Sequence, residues 1–166
     1  MPDPQRVLLV FYVGGQLAAV PLDSVKRIAS MVQLVRPPGL PSPLEGILNL
    51  GGTAVPVIRL DRLLRLPVQE VGMYSILIIF KGSIDSGFAL LVERTSEVVS
   101  VSRGELLALD KEASFNACAE ASFVLRGETV PLLSLQRILL EEEKQILSEF
   151  QMLAQQRVGE WGTANQ

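Results

Sequence analysis

The feature that most constrains the fold is a unit that occurs twice. Residues 46–60, Gly-Ile-Leu-Asn-Leu-Gly-Gly-Thr-Ala-Val-Pro-Val-Ile-Arg-Leu, place two apolar segments of strand length on either side of Gly51-Gly52. Adjacent glycines can take the positive φ of a tight turn, so the stretch reads as a β-hairpin. The same order returns over residues 125–140, where Gly52, Val55, Pro56, Leu60, Arg62 and Leu64 are matched by Gly127, Val130, Pro131, Leu135, Arg137 and Leu139. A weaker echo sets Ala19, Val20, Leu22 and Ile28 opposite Ala89, Leu90, Val92 and Val98. A duplicated unit in 166 residues predicts two small lobes of one fold.

The chain between the repeats is mostly strand-like. Residues 6–13 are rich in β-branched and aromatic types and end at Gly14-Gly15, with a second strand expected at 16–22 and Pro21 at its edge or end. Residues 25–35 have no clean period and read as short strands with one helical turn. Residues 36–43 hold four prolines, which excludes a helix or central strand, and their place before the double-glycine hairpin suggests a loop that frames it or an idle linker. Residues 61–66 read as one or two helical turns with Asp61 as a candidate N-cap and Pro67 as the stop. Residues 74–81 and 87–93 are apolar enough for buried strands joined by a hairpin at 82–86, and 97–102 alternates as a half-buried strand. Residues 106–121 read as a long loop carrying Cys118. Short strands with glycine turns at this density indicate small barrels, so an all-β chain of two tandem five-stranded barrels is the expected architecture. From Ser134 onward, Ile138, Leu139, Ile146, Leu147, Phe150, Leu153 and Ala154 recur at helical spacing, giving an amphipathic C-terminal helix that packs on a barrel or docks a partner helix. The expected division is 7–70 for the first lobe, 71–140 for the second, 141–158 for the helix and 159–166 for a frayed tail, with strands free to exchange between lobes.

Several function classes are disfavoured. The chain has no histidine, which removes the commonest general base and metal ligand and the usual nucleophilic triads. The glycine pairs lie between strands and open no helix, so they offer no phosphate cradle. Glu93 and Glu97 read as solvated charges. No catalytic residue, metal site or cofactor is expected. With 15 basic against 18 acidic residues the net charge is −3, and only 5 % of residues are aromatic, so neither a basic groove nor a stacking platform for nucleic acid is expected. No apolar run approaches the roughly 20 residues needed to cross a bilayer, and the N-terminus lacks a signal-peptide pattern, which points to a cytoplasmic protein without direct membrane insertion. One cysteine, Cys118, permits no intrachain disulfide. Hydrophobic lobes with strand edges, a proline-rich loop and a seam describe an adaptor that binds other proteins.

The residues also resemble a family. Residues 46–60, read as Gly-Ile-Leu-Asn-Leu-x-Gly with Pro56-Val57 and Leu60, are similar to the CheW signature, in which Gly-Val-Ile-Asn-Leu-Arg-Gly precedes Pro-Val and Asp-Leu. The likeness extends to Val20-Pro21-Leu22, to Val25-Lys26-Arg27-Ile28 against the family's Val-x-Glu-Ile, to residues 87–98 and to residues 130–140. The resemblance implies two intertwined SH3-like barrels and a non-enzymatic coupling protein of bacterial chemosensory arrays. Its implied partners are the regulatory domain of a CheA-type histidine kinase and the cytoplasmic tip of chemoreceptors, with possible recruitment to the membrane through receptor arrays. Partner-binding positions implied by the motif are Val25, Arg27, Ile28, Gly46, Asn49, Gly51, Gly52, Arg59 and Val92.

Three of these depart from the family pattern. Gly51 replaces the arginine before the turn glycine, Arg27 the glutamate of Val-x-Glu-Ile, and Arg59 the aspartate after Pro-Val. The ion pair that the first two form beside the receptor groove in typical members cannot exist here. Arg27 or Arg59 is therefore expected to meet another acid, such as Glu45, Asp61 or a residue of the partner. Alternatives are drift in a degenerate paralogue, a CheW-like protein of a surface-motility or gene-regulatory pathway, and a free-standing peptide- or ligand-binding barrel.

Overall fold

The computed structural model describes residues 4–81, 87–108 and 118–164. Among these described residues, eleven strands and two α-helices follow in order: β1 Gln5–Val13, β2 Gln16–Pro21, β3 Val25–Ser30, β4 Leu44–Leu50, β5 Thr53–Arg59, α1 Leu60–Leu63, β6 Ile76–Phe80, β7 Ala89–Val92, β8 Arg94–Ser102, β9 Leu107–Ala108, β10 Ala119–Leu125, β11 Glu128–Leu133 and α2 Leu135–Ala164. They form two sheets, ordered β8-β1-β2-β11-β10-β9 and β3-β6-β7-β5-β4. All pairings are antiparallel except β2 with β11 and β5 with β7.

The repeat explains these two exceptions. Val57 pairs with Ala89 in one sheet, and Leu132 pairs with Ala19 in the other. Val57 and Leu132 are repeat equivalents, as are Ala19 and Ala89, so the same contact is made twice with the halves exchanged. Each sheet takes two adjacent strands, β1-β2 or β6-β7, from one half of the chain and three from the other, β8, β11 and β10 or β3, β5 and β4; the two-residue β9 is added at one edge. The barrels therefore do not follow the boundary between 7–70 and 71–140.

Packing follows from this exchange. One core, with Leu8, Val10, Phe123, Val130 and Leu132, fills the first barrel, and another, with Leu34, Leu48, Val57, Leu77 and Ile79, fills the second. A third and larger core lies between the barrels and includes Leu9, Phe11, Val20, Ile58, Ile78, Phe80, Leu90 and Val92. Successive residues of β1, β2, β6 and β7 point alternately into a barrel and into this seam. Strands covered on both faces need continuous apolar sequence, which these have.

Some local expectations need correction. No helical turn falls within residues 25–35; a 3-10 turn, Leu22–Ser24, precedes β3 instead. Helix α1 is only four residues long, and Asp61 lies in its first turn while Arg59 holds the N-cap position without a side-chain cap. Helix α2 is longer than expected and continues through residues 159–164 in place of a frayed tail, because helix propagation is cooperative and no proline interrupts it. Ile138 at its start is fully buried in the seam, and Gln145 Nε2 donates to the Leu63 carbonyl at 3.2 Å, so the first half of α2 packs on the body. The side chains of Phe150 and Ala154, the turn at 82–86 and most of the loop at 106–121 lie outside the described residues. Within that loop, Leu107 and Ala108 form β9 against β10.

Candidate partner-binding site

The double-glycine turn is built as its sequence suggests. Gly51 and Gly52 have φ of +59° and +89°, and Leu50 pairs with Thr53 to close the hairpin. Asn49 Oδ1 accepts a hydrogen bond from the Gly52 N–H at 2.9 Å, so this asparagine holds the turn. Gly46, deeper in β4, is buried; a Cβ there would lie 2.8 Å from Leu34 Cβ and 3.0 Å from the Val35 carbonyl oxygen. Its lack of a side chain lets the segment before the prolines cross β4, fixed by mutual backbone hydrogen bonds between Val35 and Ile47.

Strand β3 forms the edge of the same sheet. A bulge at Lys26 interrupts its register with β6, so that Val25 faces Phe80 and Arg27 faces Ile79. Val25 packs partly into the seam core, whereas Lys26 and Arg27 are exposed and Ile28 is 42 % exposed. Between this strand and the hairpin turn lies an open groove of about 360 Å³ lined by Lys26, Leu50, Thr53, Val55, Ile79, Phe80, Lys81 and Gly87. Lys81 Nζ donates to the backbone carbonyl of Asp23 at 3.1 Å. Among the described residues, none of Lys26, Arg27 and Lys81 forms an ion pair.

Arg59 has a different environment. Its side chain is nearly buried, with Nε 2.9 Å from Asp61 Oδ1 and Nη1 3.2 Å from Glu45 Oε2, and Nη2 donates to the Gln69 carbonyl. Burial works against its charge, but hydrogen bonds and attraction from Asp61 and Glu45 outweigh that and raise its pKa above the usual value. Glu45 also pairs with Arg36 at 3.0 Å, and Asp61 Oδ2 accepts the Gln69 N–H at 3.1 Å. One cluster thus joins the proline-rich segment, the hairpin, α1 and the chain that leads to β6. The new acids expected for an arginine are present for Arg59, inside the molecule.

The nine sequence-derived positions accordingly separate. Arg27 and Ile28 lie open on β3 with Val25 half-buried beside them; Asn49, Gly51 and Gly52 form the turn across the groove; Gly46, Arg59 and Val92 are interior. Lys26 and Lys81 were not singled out by sequence, although Lys26 adjoins Arg27 and Lys81 ends an apolar strand. Cys118 is buried and in no disulfide, and burial pushes its thiol up to about 12, with Glu141 adding to the shift and Arg137 opposing it. Among the described residues, no three histidine, cysteine or acidic side chains group as they would around a metal ion, and no helix is long and apolar enough to cross a membrane.

Comparison with known proteins adds to this geometry. A family model described as CheW-like domain matches residues 7–143. The Chemotaxis protein CheW of Bacillus subtilis (strain 168) is 32 % identical over 100 residues, which is 60 % of this chain and 63 % of that protein, so the match spans less than two thirds of its length. The Chemotaxis protein CheW of Thermotoga maritima is 23 % identical over 134 residues, covering 81 % of this chain and 87 % of that protein. Among solved structures, the scaffolding protein TtCheW from Thermoanaerobacter tengcongensis superposes with a TM-score of 0.72 at 21 % identity, over 81 % of this chain and 86 % of that one. That likeness establishes the shared fold of two SH3-like barrels.

Proposed function

The chain belongs to the CheW-like domain family, and from that premise we propose that it is an adaptor of a bacterial chemosensory system that couples chemoreceptors to a CheA-type histidine kinase. Members of this family are non-catalytic scaffolds, and the work of such a protein is done by surfaces that hold two partners at once. The observation that carries the reading is the extent of the family match, which runs through both barrels, the seam and the start of α2. In this reading Val25, Arg27 and Ile28 on β3, together with the turn of Asn49, Gly51 and Gly52, face a partner. Gly46, Arg59 and Val92 act from beneath by fixing the shape of that surface. The kinase contact would be its regulatory domain and the receptor contact its cytoplasmic tip.

The test is co-sedimentation of the purified chain with receptor-tip assemblies, with and without a CheA regulatory domain. The chain is expected in the pellet with receptor and in a ternary complex with kinase. If it binds neither, the reading is wrong and a free-standing barrel that binds other ligands becomes the better description. The departures at Arg27, Gly51 and Arg59 favour a member that serves a receptor set or pathway of its own, such as surface motility. Binding to receptors of one set only would support that refinement.

A further inference from the structure

We propose that the open corner between the start of α2 and the β6–β7 end of the second barrel holds a partner's chain segment that offers an aliphatic side chain next to a basic residue. The duplication carries this inference. Leu135 and Leu139 in α2 are the repeat equivalents of Leu60 and Leu64. Leu60 and Leu64 are 0 % and 4 % exposed, whereas Leu135 and Leu139 are only partly buried. What differs is the chain that follows. After α1, Arg65 at φ +57° turns the backbone, and Leu66 packs so closely on Gly14 that a Cβ there would lie 2.4 Å from Leu66 Cβ. The Gln69 N–H then donates to Asp61 Oδ2 at 3.1 Å and holds this segment down. The corner beside it, bounded by Asp61, Val92 and Glu93, keeps only about 20 Å³ of free space. In the second copy the helix continues to Ala164, and no described residue turns back over Leu135 and Leu139. The matching corner, with Gln136 in place of Asp61 and Asp23 in place of Glu93, is an open cavity of about 610 Å³.

The walls of this cavity set what it accepts. Pro56, Gly87, Leu135 and Leu139 line it and are all partly accessible, so an aliphatic side chain can be buried against them. Its charged groups are Asp23, Lys81 and Glu142. Lys81 Nζ already donates to the Asp23 backbone carbonyl, whereas Glu142 has neither an ion pair nor a hydrogen bond among the described residues. Burial raises the Glu142 pKa, with the neighbouring Glu143 adding to the shift, so this carboxylate is poorly solvated and lacks a counter-charge. A cation brought by the occupant supplies one, and an acidic occupant is repelled. No residue of β3 or of the β4–β5 turn lines the cavity, so this site goes beyond the adaptor reading and does not rest on it.

The probe is a capped peptide copied from the segment that fills the first corner, Arg-Leu-Pro-Val-Gln, residues 65–69. Two controls replace its arginine with glutamate or its leucine with glycine. Amide chemical shifts of the full chain are followed on titration with each, at low and at physiological salt. The parent peptide is expected to bind at least about fivefold more tightly than either control and to shift residues 23–24, 87–88 and 135–142. Added salt should narrow its advantage over the glutamate control and leave its advantage over the glycine control. Glu142→Gln should remove most of the preference for arginine over glutamate while the leucine preference stays. Leu139→Trp, which fills the cavity, should abolish binding of all three peptides. No binding at this corner, equal binding of the three peptides, or an arginine preference that survives Glu142→Gln would overturn the proposal. Co-sedimentation with receptor and kinase reads a different surface, so the two readings can fail separately.

Discussion

At the level of single residues, Arg59 shows how a charge that departs from a family motif can be accommodated by packing. Replacing it with alanine would leave Glu45 and Asp61 partly buried without their shared cation, which typically costs about 3–5 kcal/mol. Arg59→Asp, the family's usual residue, should cost more than Arg59→Ala, because it would set a third carboxylate among these two. Urea denaturation of the two variants against the parent measures the order; an Arg59→Asp variant as stable as the parent would show that the cluster has no net effect. The position of Arg59 in the motif is visible in the sequence, but its burial is not, since an arginine after Pro-Val could equally point to solvent. Cys118 illustrates the same limit in a smaller way. Burial favours its protonated form, so the thiol is expected to resist iodoacetamide at pH 8 in the folded chain and to react once unfolded. Because its folded pKa of about 12 lies above the ordinary value of 9.0, this group's contribution to stability is full below pH 9 and declines as pH rises toward 12. Rapid native-state alkylation at pH 8 would contradict that burial.

Among the elements, the two copies of the repeat end differently for reasons that lie in a few positions. Ser134 precedes α2, and its Oγ accepts from the Arg137 N–H at 3.3 Å; the equivalent position before α1 is Arg59, whose side chain supplies no cap. With a cap at its start, α2 runs for 30 residues, whereas α1 ends after four at Leu63, followed by Arg65 in the left-handed region at φ +57°. The existence of α2 was legible from its helical spacing and that of α1 from Asp61 and Pro67, but the length of α2 was not, because periodicity carries no account of what satisfies the ends. The β4–β5 hairpin was legible almost entirely, since two glycines between apolar runs leave few alternatives. Its glycines nevertheless differ in what they tolerate. Gly51→Asn should cost little, because asparagine enters the left-handed region readily and nothing crowds that site. Gly46→Ala should cost about 1–3 kcal/mol, because a Cβ at 2.8 Å from Leu34 must push the crossing segment aside. Thermal melts of the two variants check the contrast, and equal midpoints would refute it.

For the whole molecule, the consequence of the strand exchange is that neither half of the sequence owns a barrel. The duplication at residues 46–60 and 125–140 revealed two like units, but the pairing of Val57 with Ala89 and of Leu132 with Ala19 depends on contacts across the chain that a sequence period cannot express. The exchange places β1, β2, β6 and β7 around the seam, where Leu9, Phe11, Ile78, Phe80 and Leu90 form one core with Ile138 of α2. Removing apolar surface there weakens both barrels together, since the strands that line the seam also form the barrel walls. Ile138→Ala should therefore lower stability by about 2–5 kcal/mol and shift a single transition, leaving no half-folded species. Differential scanning calorimetry tests this by comparing calorimetric with van't Hoff enthalpy. A ratio near one in parent and variant is expected from a shared core. A second transition, or a fragment of residues 7–70 that folds by itself, would show that the barrels are independent units and that the seam is only an interface between them.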